Sequence, residues 1–472
     1  MEFFVKDKSF YKRAAVIAIP VTLQTMITMG VNMADQIMVG KLGTPSLSAV
    51  NAANKFIGIF QICCMGIGMG ASVLTARFWG MKDLTSLKKA ITVMLRLCLG
   101  FALLFMIPTI FRPDLLMKIY VHPETMETAD KVAEALKTIE LGPLYYKWMI
   151  PCYILQGMAL TCTIVLRSVG QVKIPLYSSI GAFFVNIFFT WVFIFGKLGA
   201  PAMGIEGAGL GTVIARGFEF CFICGYFFVL DQKIKYRLKD ILSKCGDIIG
   251  TYISISLPVL ISDGLLAFGE TAVTIVMGLI DTQFLAADGM TATTQRMTTV
   301  FIQGICHAGC IMTGHTLGEG DRERAQREAW TFASLGAVIG AIAGVIILVI
   351  SEPVISIFDV DESTKALARE MMKAISLIVL FQSMNSILTK GVLRGGGDTK
   401  FLMVADILFL WIASVPLGYC AGMIWGMTPF WIYFFLKIDQ VIKAVWCVGR
   451  LKSGKWIKAI ANEGVQAESK EA

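Results

Sequence analysis

The sequence predicts an all-α polytopic membrane protein with twelve spans, six in each of two matched halves. Three observations carry this. The chain of 472 residues is 56% hydrophobic and only 16% charged, with a mean hydropathy of +0.69, against about 25% charged residues in soluble domains. Its apolar stretches are long enough to cross a ~30 Å hydrocarbon core, which takes about 20 residues. And the chain repeats itself. A shift of 238 residues lays the second half over the first without a gap for some seventy residues. Pro20 falls on Pro258, Gly40 on Gly278, Leu47 on Leu285, Ala49 on Ala287, Gly66 on Gly304, Gly80 on Gly318 and Asp83 on Asp321. Further on the shift becomes 227, and VLRSVGQVK (165–173) lies over VLRGGGDTK (392–400). Two matched halves in a polytopic chain suggest a transporter with its substrate site between them. Both halves begin on the same side, so an axis along the membrane normal should relate them.

The first span, Ala14 to Val39, sets the pattern. It follows Arg13, carries one acid, Asp35, and holds Pro20 fifteen residues earlier. Pro20 removes a backbone hydrogen bond and crowds the carbonyl of Val16, which predicts a bend. The other spans of the N-terminal half are expected near 49–78, 90–111, 138–166, 174–196 and 207–230. In the C-terminal half they fall near 251–280, 286–316, 329–351, 371–393, 401–423 and 428–449, with Pro258 as the second bending point. The domain plan is a six-span half over 1–230, a polar linker over 231–247, a second half over 248–450 and a polar tail over 451–472, disordered at its end. The outer segment 112–137 is the longest outer connection and partly helical. No cleavable signal peptide is visible, because the mixed-charge N-terminus leads straight into a full-length span.

Charge placement gives the orientation. The loops assigned inside carry 25 Lys or Arg and those assigned outside carry nine. Both termini are therefore expected in the cytoplasm, in an inner (plasma) membrane. The formal charge of +8 reads as topology and not as a nucleic-acid surface. Arg167 and Arg394, each ending a span, read as membrane-end anchors. Twelve cysteines lie almost wholly within apolar spans, Cys245 in the linker being the main exception, so no disulfide framework is expected. Cys221 and Cys224 have redox spacing but sit inside a helix. His307 and His315 lack a metal-binding pattern, and RGGGDTK lacks the strand a phosphate loop needs. No catalytic constellation, metal site or cofactor is predicted.

Intramembrane acids are the functional candidates. A carboxylate at this depth costs about 2.5–3.5 kcal/mol on insertion scales, so it is normally paired or faces water or a ligand. Asp35 has Asn32 on the same face, and Asn186 and Thr190 in the fifth span offer oxygens one turn apart. The seventh span holds Asp263 and Glu270, with Arg296 of the eighth span as a possible partner for the latter. Gln156 joins these as a cavity candidate. Asp406 reads as structural.

At NMADQIMVG, VLRSVGQVKIP and VLRGGGDTKF the chain resembles the multidrug and toxic compound extrusion (MATE) family, and the likeness covers essentially residues 10–450. The resemblance implies twelve helices in two six-helix bundles around a V-shaped cavity. It implies efflux of cationic or amphipathic small molecules driven by inward H⁺ or Na⁺, with no cofactor and membrane lipids as surroundings, in a chain expected to be a monomer. Asp35 matches the family's first-span acid and Asn186 its fifth-span asparagine. Thr190 stands where many members have an aspartate. Glu270 resembles the seventh-span acid of another branch, whose tenth-span acid would fall near Ser383. The coupling ion stays open between H⁺ and Na⁺. A lipid-linked sugar flippase of the wider superfamily and, more distantly, a membrane enzyme are the alternatives.

Overall fold

A computed structural model describes residues 4–121, 129–358 and 360–459. Part of the outer segment 112–137 and the tail from residue 460 lie outside the described residues. Among those described there is no strand.

The helices are α1 (Lys8–Gly40), α2 (Thr44–Gly80), α3 (Leu84–Phe111), α4 (Pro113–Tyr120), α5 (Ala129–Ser168), α6 (Lys173–Phe195) and α7 (Ile205–Gly225). They continue with α8 (Gly246–Ile280), α9 (Thr282–Gly318), α10 (Arg322–Ile357) and α11 (Glu362–Ser386). The last are α12 (Thr399–Leu408), α13 (Val415–Tyr419), α14 (Pro429–Leu436) and α15 (Asp439–Lys452). All twelve expected spans coincide with this helical material. Among the described residues, ten helices are long and apolar enough, by length and composition, to cross a membrane. The eighth expected span, α9, is diluted by threonines, and the twelfth is broken between α14 and α15. The C-terminal half also holds π-helical winding at Ile387–Leu393, Phe409–Ser414 and Cys420–Ile424, which repeat patterning does not reveal.

Contacts divide the chain into two compact units. The C-unit comprises Met1–Thr22, Ser72–Asp83 and Gly250–Ala472; the N-unit comprises Leu23–Ala71 and Leu84–Ile249.

In the N-unit, α7 brings glycines against α6. A Cβ on Gly207 would stand 2.5 Å from the Phe193 backbone, and one on Gly211 2.5 Å from Thr190 Oγ1. Small residues four apart let the helices close on each other where no hydrophobic drive operates between them. The segment after α7 is pinned down. The Gln171 amide donates to Asp231 Oδ1 at 2.6 Å, and Asp231 Oδ2 accepts from the Ile234 N–H at 2.8 Å. Lys88 pairs with Asp240 at 3.0 Å, and the Arg96 guanidinium donates to the Ile241 and Ser243 carbonyls. The polar stretch 231–247 is therefore packed on α3. Cys245, expected in a loop, is buried, its thiol donating to the Ser243 carbonyl at 3.3 Å.

In the C-unit, α10 carries a glycine ladder. A Cβ on Gly336, Gly340 or Gly344 would meet the α11 backbone at 3.0, 2.8 and 2.4 Å. The repeat explains a second crossing. The C-terminal ends of α2 and α9 occupy repeat-equivalent positions and lie against each other. A Cβ on Gly80 would stand 2.3 Å from the His315 carbonyl oxygen, and one on Gly318 2.2 Å from that of Arg77. Ser72 and Cys310, 238 apart, also meet, at 3.9 Å. The turns that follow share a left-handed residue, Lys82 (φ 59°) and Gly320 (φ 86°).

Candidate functional site

The N-unit encloses a cavity of about 310 Å³. Its polar lining comes from five helices. α1 supplies Asn32 and Asp35, α2 supplies Asn51, Asn54 and Gln61, α5 supplies Gln156, α6 supplies Asn186, and α7 supplies Arg216 and Glu219. Asp35 and Asn32 sit one turn apart on α1, as their spacing requires. Asp35 Oδ1 and Asn186 Oδ1 are both buried and accept no hydrogen bond among the described residues. Two carbonyl-type oxygens without donors, inside an apolar bundle, form an electron-rich spot that is costly unless a proton or cation shares it. Arg216 Nη1 pairs with Glu219 Oε2 at 2.7 Å, and its charge also acts on Asp35. Tyr145 closes the wall, its hydroxyl donating to Asn54 Oδ1 at 3.4 Å.

Four of the expected residues, Asp35, Asn32, Asn186 and Gln156, thus converge. Thr190 does not line this cavity. It is fully buried at the Gly211 crossing of α6 and α7, its hydroxyl without a hydrogen-bond partner among the described residues. The sequence reading passed over Arg216 and Glu219, although an ion pair three residues apart within the sixth span is the kind of intramembrane charge that signals a site.

The C-unit arranges its charges differently. Glu270 and Arg296 are both exposed, and no ion pair joins them among the described residues. The pairing considered for them is absent. Asp263 instead pairs with Arg394 at 3.3 Å. Arg394 is only 5% exposed, so it is a buried ion-pair member and not a solvated anchor. Likewise Arg167 Nη2 donates to Gln24 Oε1. Pro20 is buried within α1 and Pro258 lies within α8; both helices continue past their prolines. A further network went unread. Lys443, 2% exposed, sits between Asp406 (3.0 Å) and Asp439 (3.2 Å). The Ser262 hydroxyl donates to Asp406 Oδ2 at 2.6 Å and the Ser414 hydroxyl to Asp439 Oδ1 at 3.0 Å. Among the described residues no group of three His, Cys, Asp or Glu could hold a metal ion.

A doubled helical membrane fold with a polar cavity inside one unit suits a transporter. Comparison makes this specific: the MatE family model matches residues 20–192 and 258–420, so the chain belongs to the MatE family. The two matched segments start at Pro20 and Pro258, the repeat-related prolines. A probable multidrug resistance protein NorM of Agrobacterium fabrum is 25% identical over 436 residues, covering 88% of this chain and 90% of the relative. Among solved structures, a MOP superfamily transporter from Pyrococcus furiosus, described as having a binding pocket of reversed polarity, superposes with a TM-score of 0.82 at 18% identity. It covers 94% of this chain and 96% of its own. A multidrug resistance MATE family transporter in an outward-facing conformation gives 0.81 at 18% identity, with the same coverage. These structures share the fold of twelve helices in two bundles.

Proposed function

We propose that the chain is a secondary active multidrug exporter, moving cationic or amphipathic small molecules outward in exchange for H⁺ or Na⁺ by alternating access. The observation that carries this is the pair of donorless oxygens, Asp35 Oδ1 and Asn186 Oδ1, in the N-unit cavity. Around them Asp35 and Glu219 outweigh Arg216, which leaves the cavity one negative charge to offer a proton, Na⁺ or an organic cation. Relatives named for multidrug resistance support the substrate class.

The physical sequence follows from charge. A proton or Na⁺ on Asp35 removes the negative charge that an apolar span tolerates least. The α1 helix can then repack around its weak point at Pro20, about 22 Å along the helix from Asp35 at 1.5 Å per residue. Pro258 offers the same freedom in α8. An organic cation and the coupling ion compete for one negative site, so loading one releases the other. No cofactor beyond the coupling ion is needed. The membrane placement is the inner membrane with both termini cytoplasmic, a reading the 25-to-9 basic asymmetry supports, and the working unit is a monomer. Ethidium efflux from proteoliposomes under an imposed H⁺ gradient and then an imposed Na⁺ gradient tests the reading. Export driven by one gradient is expected; export driven by neither would overturn it.

A further inference from the structure

The C-unit carries a concave site of its own, lined by none of the residues that line the cavity above. A groove of about 650 Å³ runs along α15 where it faces α12. One stretch of its wall is apolar: Phe401, Val441, Val445 and Trp446. Phe401 and Trp446 stack at 5.8 Å with their rings 8° from parallel. Val445 and Trp446 are 65% and 47% exposed. The other stretch is polar and basic, with Arg450, Ser453 and Lys455. The guanidinium of Arg450 lies 4.5 Å from the Phe401 ring and pairs with Asp398 at 2.7 Å. Lys458 shares that same carboxylate at 3.6 Å. One acid thus faces two cations. Lys452 and Lys455, both exposed, have no acid against them among the described residues.

We infer that this groove binds an anionic phospholipid, one acyl chain along the Phe401–Trp446 wall and the phosphate against Lys455 and Arg450. Three features choose that occupant. The volume lies in the ~300–1,000 Å³ range of ligand sites. An aromatic pair marks the depth at which chain meets headgroup. The unbalanced positive charge stands at one end only, which matches an amphiphile with an anionic head and neither a wholly apolar nor a wholly polar ligand. The inference rests on the reading that the α15 end with Lys452 and Lys455 faces the cytoplasmic leaflet, where anionic headgroups are available to it.

Native mass spectrometry of the full chain in detergent, titrated with phosphatidylglycerol or with phosphatidylcholine of the same chains, tests it. Phosphatidylglycerol adducts are expected at lower concentration than phosphatidylcholine adducts. Lys452→Gln with Lys455→Gln should erase that preference, at about five-fold per lysine. Gly449 has open space around its Cβ position, so Gly449→Leu places a side chain in the groove and should weaken both lipids. Equal binding of the two lipids, or an unchanged preference in the lysine double variant with an unchanged melting temperature, would overturn the proposal. So would a mass of two chains in place of adducts, or adducts seen only after removal of residues 460–472. The readout is binding. A chain that selects phosphatidylglycerol but exports nothing fails the transport reading alone, and the reverse result fails this one alone.

Discussion

The two copies of the arginine–glycine motif share a geometry and differ in charge. Each arginine reaches the first helix of its own half. Arg167 donates to Gln24, and Arg394 pairs with Asp263, a position within one residue of the Gln24 equivalent. Each glycine turn is left-handed, φ 79° at Gly170 and 84° at Gly397. Each motif then holds the segment that follows its half's last helix. Gln171 bonds Asp231, and Asp398 pairs with Lys458; both residues of the second pair are offset by 227 from those of the first. The backbone plan is thus duplicated, whereas the electrostatics are rewritten. Extra glycines in the second copy have local causes. A Cβ at Gly396 would stand 2.4 Å from the ring of Trp456, which is fully buried, and one at Gly395 2.7 Å from the Cys310 carbonyl oxygen. The first copy has Ser168 and Val169 there. Duplicated residues hold the scaffold; the unduplicated charges are where the halves divide their work. The N-unit keeps Asp35 open to a cavity, whereas the C-unit closes Asp263, Asp406 and Asp439 against cations.

That contrast breaks most visibly at Asp35. Asp35→Asn should reduce gradient-driven ethidium efflux to the level of empty liposomes with unchanged expression and melting temperature. Glu270→Gln should lower transport less, and its stability should stay within about 0.5 kcal/mol, because no Arg296 pair is lost. Wild-type efflux by the Asp35→Asn protein would end the assignment of coupling to the N-unit.

The C-unit answers in stability. Lys443→Met leaves Asp406 and Asp439 facing each other without a cation inside the protein. Breaking a buried pair from one side costs about 3–5 kcal/mol, read as a large fall in melting temperature. Adding Asp406→Asn and Asp439→Asn removes both orphaned charges and should restore most of it. No recovery in the triple variant would mean that the charges themselves, and not their balance, hold α12 and α15 together.

Next in size is the duplicated crossing. Gly318→Ala drives a methyl into the Arg77 carbonyl, and overpacking of this kind costs about 1–3 kcal/mol. Gly80→Ala, its repeat partner against His315, should cost a similar amount. Unequal losses would show that one copy of the crossing has room to shift.

Legibility followed periodicity and repetition. Span number and the place of Asp35 beside Asn186 were readable because apolar length and the 238 offset report on backbone; the compact units divide elsewhere than the expected halves, with 231–249 falling in the N-unit and Ser72–Asp83 in the C-unit. Thr190 was misplaced because a hydroxyl on the right helix can face either the cavity or the next helix, and the Gly211 contact decides that only in three dimensions. Lys443 was hidden because its partners lie on α12 and on its own helix, and no sequence pattern brings Asp406 to it. Arg394 was misread because a basic residue ending a span looks the same whether it meets water or Asp263.

The smallest expected effect concerns the polar stretch after α7. Asp240 is held below its ordinary value of 3.8: partial burial pushes it up, but the Arg237 N–H and the Lys88 ammonium outweigh that. A depressed carboxylate adds stability above its unfolded value and loses it as pH falls through the lower folded one. Lys88 and Asp240 are each 30% exposed, so solvent screening keeps the pair worth about 0–1 kcal/mol. Asp240→Asn should therefore lower the melting temperature slightly at pH 7, and the gap to wild type should shrink only below about pH 4. Added salt should shrink it as well, since screening acts on exposed pairs first. A gap that persists unchanged at low pH and in high salt would assign the loss to the Arg237 turn and not to the ion pair. The 231–247 stretch would then be held at this point by its own turn, with Gln171 and Arg96 as its side-chain anchors.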